Sequence, residues 1–250
     1  MNDSFMLGYD YALLSLSGLK VPLYASVESH LIVVGGSNAG KSTATLYWLY
    51  KLRKYKIDFF IADFKASHDF YSVTQNLAEF EDCYYLIKKF YENFLITPEG
   101  GSGFIKILLI DEIAGLLTYY STIKSVKIKT EDGKIIVQSG KLVAEEIRSM
   151  LSAIIMLGRS RKIFLWLSLQ RYSANIFPPA SGGADNFHIS IGLGRLTVDG
   201  RKGLFAGEHF PEEELLQFGQ RRGIVLLDGQ PLRALIIPRV SKNRLKDLLT

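Results

Sequence analysis

A short apolar run followed at once by a glycine-rich loop places the strongest constraint on how this chain can fold. Leu31 to Val34 is apolar throughout, which predicts a strand buried on both faces, as in a parallel sheet. Gly35 to Ser42 then fits the pattern G-x-x-x-x-G-K-[ST] of the P-loop. A helix is predicted from Thr43 to about Tyr55. This order of elements favours an α/β domain with a central parallel sheet.

The residue types of this loop suit the binding of phosphate. Gly36 and Gly40 allow the backbone to curl without a Cβ clash, so that successive N–H groups can point at phosphate oxygens. Lys41 can neutralise the β- and γ-phosphates, and the Ser42 hydroxyl can bind Mg²⁺. The positive end of the following helix adds to the attraction for anions. The predicted nucleotide-binding residues are Gly35, Gly36, Ser37, Asn38, Ala39, Gly40, Lys41, Ser42 and Thr43.

Composition limits the class of protein. With 250 residues and 48% hydrophobic content, the chain can bury the core of one α/β domain with small additions. The single cysteine, Cys83, excludes an internal disulfide, and the four histidines have no zinc-site spacing. We therefore expect a cytoplasmic protein, with neither a signal peptide nor a membrane span. The net charge of +5 indicates either a solvated surface or a polyanionic partner.

Two further buried strands end in charged residues. Ile57 to Lys65 is the first, and charges at such a strand end either face a ligand crevice or are simply solvated. Ile105 to Glu112 is the second and matches the Walker B pattern, 70 residues beyond the P-loop lysine (111 − 41). Asp111 can hold the water shell of Mg²⁺, and the neighbouring Glu112 can polarise the attacking water.

The middle of the chain alternates between helical and hairpin patterns. Ala66 to about Phe94 has helical periodicity, and Lys141 to Leu157 is an amphipathic helix. Between them, residues 121–140 alternate around an Asp-Gly turn, which predicts an inserted β-hairpin rich in lysine. This hairpin either decorates the surface or contacts DNA or another subunit.

The last third of the chain continues the α/β pattern. Ile163 to Gln170 is a fourth buried strand, and its terminal Gln170 can either sense a γ-phosphate or cap a loop. Further predictions are a loop over 171–185, a strand over 187–193, a helix over 212–218, a hairpin formed by 222–227 and 232–237, and a tail helix. The predicted divisions are N-terminal edge strands over 1–27, the main domain over 28–240 and the C-terminal helix over 241–250.

Together these segments resemble the FtsK/SpoIIIE–HerA branch of P-loop ATPases, over roughly residues 28–240. The residues that carry the resemblance are His30 to Val33, Asp63 to Lys65, Leu109 to Glu112, Leu167 to Arg171 and Phe218 to Leu227. Phe64 and Tyr172 stand where the family has proline. The membrane region and the winged-helix domain of full-length FtsK are not part of the sequence.

The resemblance implies a RecA-like fold, assembled as a ring that is expected to be hexameric, with double-stranded DNA in its centre. ATP and Mg²⁺ are the implied cofactors, with Lys41 on the phosphates and with Ser42 and Asp111 on the metal. Glu112 would activate water, and Gln170 would report the γ-phosphate. An ungapped alignment back from Gln170 places Arg159 on the family's arginine finger, with Arg161 as second candidate; either arginine could instead only offset the negative end of its helix.

The function implied is ATP-driven DNA translocation that serves a plasmid, an integrative element or a phage genome. A relaxase, a replication protein or a membrane-anchored secretion protein would be a further partner. One alternative is a nucleotide-gated coupling or scaffold protein that recruits DNA-processing partners. Another is a helicase or a viral genome-packaging ATPase on the same core.

Overall fold

In the computed structural model, which describes residues 3–130, 132–177, 183–205, 208 and 218–249, ten strands form one sheet and two form a separate hairpin. The strands are β1 Ser4–Asp10, β2 Pro22–Ser26, β3 Leu31–Gly35, β4 Ile57–Asp63, β5 Leu77–Glu79, β6 Ile105–Asp111, β7 Val126–Lys129, β8 Ile135–Gln138, β9 Ile163–Leu169, β10 Ile189–Leu193, β11 Arg222–Leu227 and β12 Arg233–Ile236. The helices are α1 Tyr11–Ser17, α2 Lys41–Leu52, α3 Asp82–Ile96, α4 Ile113–Thr122, α5 Gly140–Leu157, α6 Val198–Leu204 and α7 Lys242–Leu249.

The large sheet is parallel at its centre and antiparallel at one end. Its order is β2-β1-β12-β11-β10-β3-β9-β6-β4-β5. The pairs from β10 to β5 are parallel, and the pairs from β2 to β10 are antiparallel. The predicted α/β class with a mostly parallel sheet is therefore confirmed, as are the inserted hairpin of β7 and β8 and the C-terminal hairpin of β11 and β12.

The sheet is buried on both faces. Ile32 and Val34 of β3 belong to an apolar cluster that includes α3, α4 and α5, whereas Leu31 and Val33 belong to a second cluster that includes α2 and α7. Because successive side chains of a strand point to opposite faces, an uninterrupted apolar strand needs cover on both sides. This explains why the strand before the phosphate loop has no polar residue.

The predicted helix over residues 66–94 is wrong in its first half. The segment before α3 instead forms turns and the short strand β5. The Asp63 side chain accepts hydrogen bonds from the Ser67 backbone N–H at 2.8 Å and from the Ser67 hydroxyl at 2.7 Å. Ala66 and His68 have left-handed φ angles of +49° and +57°. A side chain that binds the local backbone competes with a helix in this way.

Other differences concern short elements. Helices α1, α4 and α6 have no counterpart among the elements predicted from the sequence. The predicted helix over 212–218 falls, except for Phe218, outside the described residues, whereas the tail helix is confirmed as α7. None of the helices in the described ranges is apolar over a length that could cross a membrane.

Candidate nucleotide site

The loop between β3 and α2 has the backbone that its sequence predicts. Gly40 precedes α2 with a φ of +98°, and Asn38 is left-handed at +64°. A Cβ on Gly35 would lie 2.6 Å from the carbonyl oxygen of Leu193 on the neighbouring strand, so only glycine fits there. Among the residues that the structure describes, a Cβ on Gly36 would meet no atom within 4 Å. Packing therefore requires glycine at position 35 and the left-handed backbone favours it at 40, whereas none of the described contacts requires it at 36.

Lys41 is held by the loop that it follows. Its Nζ atom donates to the carbonyl oxygens of Gly35 at 2.5 Å and of Gly36 at 3.3 Å. Burial lowers the pKa of Lys41 below its ordinary value, and the carboxylates of Glu112 and Asp111 partly oppose this shift. A cation in a partly desolvated position with only carbonyl acceptors is suited to take an anionic group.

Three neighbouring strands bring polar groups to the same edge of the sheet as the loop. Asp63 at the end of β4 pairs in register with Asp111 at the end of β6, and Asp111 pairs with Ser168 of β9. Both carboxyl groups are buried. Burial raises the pKa of Asp111 above its ordinary value, and the nearby charge of Asp63 contributes to the same effect. A divalent cation would offset this accumulation of negative charge.

Glu112 lies at the same edge in a strained backbone conformation. Its φ of +64° places it in the left-handed region, between the end of β6 and the start of α4. Its backbone N–H donates to the Ser168 carbonyl oxygen at 3.0 Å. Its carboxylate forms an ion pair with Lys65, with 2.5 Å between Nζ and Oε2. Non-glycine residues in such conformations cluster at functional sites.

Gln170 follows β9, which is the strand between β3 and β6. The preceding residues pair on both sides, Leu169 with Val34 and Ser168 with Asp111. The structure therefore brings Gln170 to the sheet edge that also carries the phosphate loop and the Walker B residues. Its part in sensing a γ-phosphate stays a prediction.

Arg159 lies at the opposite edge of the sheet, where the amino ends of the central parallel strands are. It begins a short 3-10 turn, Arg159–Arg161, before the first residue of β9. Because β9 is parallel to β3 and has seven residues, the turn and the phosphate loop of one chain are separated by about 20 Å. Arg159 is exposed, and its Nη1 atom lies 3.5 Å from His188 Nε2. The structure does not bring Arg159 together with the other predicted site residues of the same chain.

Arg161, the second candidate for the finger, has a structural partner instead. Its Nη1 atom donates to the carbonyl oxygens of Phe94 at 3.2 Å and Leu95 at 3.3 Å, and also to that of Thr97. Its guanidinium lies 5.1 Å from the centre of the Phe94 ring. Arg161 thus satisfies the last carbonyl groups of α3, rather than the end of its own preceding helix.

One residue near the loop was not predicted as part of the site. The Arg221 backbone N–H donates to the Ala39 carbonyl oxygen at 2.8 Å. A Cβ added to Gly40 would lie 3.1 Å from the Cγ atom of Arg221. The Arg221 Nη1 atom donates to the Ile237 carbonyl oxygen at 2.9 Å. The only signal in the sequence was the Gln-Arg-Arg-Gly stretch at the start of β11, which contains nothing to indicate a contact 182 residues away (221 − 39).

The predicted metal ligands have the right chemistry for Mg²⁺. This ion takes oxygen ligands, usually one or two from the protein and the rest from phosphates and water. Ser42 lies in the first turn of α2, and Asp111 ends the strand that is two positions away from β3 in the sheet. Within the described residues, no group of three or more His, Cys, Asp and Glu side chains is arranged for a metal ion. The residues present fit an ion that is bound together with phosphates.

Solved structures with the same fold include a secretion ATPase and a conjugation coupling protein. The cytoplasmic domain of the Type VII secretion ATPase EccC from Thermomonospora curvata matches with a TM-score of 0.66 and 15% identity, over 98% of this chain and 30% of that one. The pCW3 conjugation coupling protein TcpA, solved as a monomer with ATPγS, matches with a TM-score of 0.68 and 15% identity, over 100% and 71% of the two chains.

A viral protein shares the fold as well. The genome-packaging NTPase B204 from Sulfolobus turreted icosahedral virus 2, solved with AMPPCP, matches with a TM-score of 0.50 and 15% identity, over 84% of this chain and 98% of that one. No protein-family model matches the chain, and no curated protein matches its sequence. The chain spans less than a third of the EccC chain. The structural matches show that this chain shares its fold with these solved proteins.

Proposed function

We propose that this chain is a cytoplasmic ATP hydrolase of the FtsK/HerA type that moves double-stranded DNA. The observation that carries the proposal is the shared edge of β3, β9 and β6. Lys41, Gln170 and the acidic pair of Asp111 and Glu112 lie at this edge, although up to 129 residues separate them in sequence (170 − 41). The proposed catalytic unit is residues 28–240.

Each residue at this edge has a proposed part in phosphoryl transfer to water. The loop N–H groups and Lys41 hold the phosphates, and the terminal phosphate receives the most stabilisation as charge develops on it. Ser42 and Asp111 hold Mg²⁺, which supplies further positive charge at the phosphates. Glu112 accepts a proton from the attacking water, and the Gln170 amide contacts the γ-phosphate.

The position of Arg159 supports a ring in which neighbouring subunits complete each other's sites. Its side chain is exposed at the edge opposite to its own phosphate loop, so it can reach such a loop only in another subunit. Charge on a transferring phosphoryl group is commonly stabilised by an arginine from a neighbour. We therefore place Arg159, and not Arg161, as the trans-acting finger of a hexameric ring.

The inserted hairpin is the proposed contact with DNA. Lys127 and Lys129 are exposed on β7, whereas Ile128 between them is buried. The Lys129 backbone N–H donates to the Tyr85 hydroxyl at 3.1 Å, which fixes the hairpin to α3. Two cations on one face of an anchored ribbon can track a phosphate backbone without reading its sequence.

Two other functions have support from the comparisons. TcpA is named as a conjugation coupling protein, which favours a nucleotide-gated coupling protein that recruits a relaxase, a replication protein or a membrane-anchored secretion protein. B204 is named as a genome-packaging NTPase, which favours a motor that fills a viral particle.

The deciding experiment measures ATP turnover with and without long duplex DNA at low salt, together with displacement of a triplex-forming strand. A translocase hydrolyses ATP faster with duplex and displaces the strand only while ATP is turned over. The Glu112→Gln protein is the matched control, because it keeps the shape of the site without a proton acceptor. A rate that does not respond to duplex, together with no strand displacement, would favour the coupling protein.

A further inference from the structure

The ion pair between Lys65 and Glu112 joins two segments that are far apart in sequence. Lys65 follows β4 and Glu112 follows β6, and these strands are direct neighbours in the sheet. The two side chains differ in exposure, since that of Lys65 is 42% exposed and that of Glu112 only 10%. The ammonium group thus reaches from the surface to a mostly buried carboxylate at the carboxyl ends of the parallel strands. We call the space above these strand ends and the phosphate loop the crevice.

The backbone that carries Lys65 is firmly fixed. Asp63 accepts two hydrogen bonds from Ser67 through Oδ2, and its carbonyl oxygen accepts one from the Ala66 N–H at 3.0 Å. Lys65 therefore sits inside a closed turn, and only its four-carbon side chain is free to change direction. A lysine on such a stem can exchange one acceptor for another within a few ångströms.

Lys41 and Lys65, two of the cations at this edge of the sheet, are bound to acceptors of the protein itself. Lys41 donates to the carbonyl oxygens of Gly35 and Gly36, and Lys65 donates to Glu112. Burial is the main cause of the lowered pKa of Lys41, and the charge of Lys65 adds to it, so the two ammonium groups are close enough to repel each other. The carbonyl acceptors of Lys41 are neutral, whereas the acceptor of Lys65 is an anion.

A terminal phosphate in this crevice would compete with Glu112 for the same cation. The phosphate brings negative charge close to the buried carboxylates of Asp63, Asp111 and Glu112. Like charges a few ångströms apart in a partly buried site repel strongly unless a cation lies between them. Lys65 is the cation that already lies against Glu112 and can turn towards solvent.

We infer that Lys65 recognises the γ-phosphate of ATP by exchanging its ion pair with Glu112 for one with the phosphate. The inference rests on the proposed ATPase function and adds a specificity-determining residue to it. ADP lacks the competing phosphate and leaves the Lys65–Glu112 pair intact. The exchange also frees Glu112 Oε2 to accept a hydrogen bond from water, so that the base becomes available only when ATP is bound.

The experiment compares the affinities of the full chain for ATPγS and ADP, each with Mg²⁺, by calorimetry. In Lys65→Met we expect binding of ATPγS to weaken about tenfold or more, while binding of ADP stays within about twofold of wild type. Lys65→Arg keeps the positive charge and should retain most of the preference for ATPγS. Lys20→Met removes an exposed lysine away from the site and should leave both affinities unchanged. Equal weakening of both nucleotides, or of neither, overturns the inference.

A double-mutant cycle tests the exchange itself. Glu112→Gln removes the anion that competes for Lys65 and also removes its repulsion of the phosphate, so affinity for ATPγS should rise in both backgrounds. The rise should be larger with Lys65 than in the Lys65→Met background, because only Lys65 has an ion pair to give up. An equal rise in the two backgrounds overturns the exchange. If wild type hydrolyses ATP but Lys65→Met leaves the preference for ATPγS over ADP unchanged, only this inference is refuted. If the preference depends on Lys65 but wild type does not hydrolyse ATP, only the proposed function is refuted. If the chain binds neither nucleotide, both are refuted.

Discussion

Arg161 and Thr97 join the turn before β9 to the end of α3, because the Arg161 guanidinium donates to the Thr97 carbonyl oxygen. Arg159, two residues earlier, is exposed at the same turn. We expect Arg161→Ala to destabilise the fold by about 1.5–3 kcal/mol, the range for hydrogen bonds to charged groups.

Arg159→Ala should leave the fold and ATP affinity nearly unchanged and abolish hydrolysis. Denaturant unfolding and ATPase assays on both variants check this pair.

Complementation between variants tests whether Arg159 acts in trans. A mixture of Arg159→Ala and Lys41→Ala proteins contains interfaces that combine an intact loop with an intact arginine. We therefore expect the mixture to hydrolyse ATP faster than the sum of its two components. Mixed rings without this gain would exclude Arg159 as the trans-acting finger.

Substitutions of Lys41 and of Glu112 should have different effects on nucleotide binding and hydrolysis. Lys41→Ala removes the charge at the phosphates and should weaken nucleotide binding or turnover. Glu112→Gln should retain bound ATP and slow hydrolysis by about a hundredfold or more, because the amide cannot accept a proton from water. Nucleotide binding and single-turnover hydrolysis separate the two effects. Turnover of the Glu112→Gln protein within about twofold of wild type would remove Glu112 from its proposed part.

DNA binding should depend on salt and on the hairpin lysines. Binding to duplex should be independent of sequence, and the double variant Lys127→Ala, Lys129→Ala should reduce the slope of log affinity against log salt by about two. The matched control is Lys20→Ala, Lys56→Ala, which removes the same charge from exposed positions off the hairpin. Filter binding at several salt concentrations measures both. Equal weakening by the control pair would show that net charge matters and the hairpin does not.

Acid should destabilise the fold through a buried histidine. Burial, with smaller contributions from His188 and Arg159, lowers the pKa of His30 from 6.5 to about 3. In the unfolded chain this imidazole takes up a proton near its ordinary pKa, so between pH 6.5 and 3 the unfolded state binds more protons than the folded state. The free energy of unfolding should therefore fall with decreasing pH, by up to about 1.4 kcal/mol per pH unit from this group.

The variant His30→Leu isolates that effect. It removes the titrating group, and with it the acceptor of the Leu165 N–H, which His30 Nδ1 binds at 2.9 Å. We expect lower stability at neutral pH and a flatter dependence on pH below 6.5, measured by denaturant unfolding from pH 7.5 to 4.5. An unchanged slope would mean that carboxylates, rather than His30, govern acid sensitivity.

The sequence alone determined the elements that carry a strong local pattern. The run of apolar residues before the phosphate loop predicted a doubly covered strand, and the Asp-Gly turn within 121–140 predicted the hairpin of β7 and β8. These predictions succeed because burial on two faces and the geometry of a tight turn restrict which residues can occur at each position. The helix predicted from residue 66 failed where the Asp63 side chain, rather than periodicity, decides the backbone.

Contacts between distant segments were decided only by the tertiary structure. Strand order places β4 beside β6 and so brings Lys65 to Glu112, and it places Arg221 against Ala39. Arg159 and Arg161 have the same side chain in the same turn, yet only Arg161 meets the end of α3. A local pattern records which faces of an element are buried, but not which element covers them, because many partners satisfy the same apolar surface. The chemistry of the site depends on which elements pack against each other.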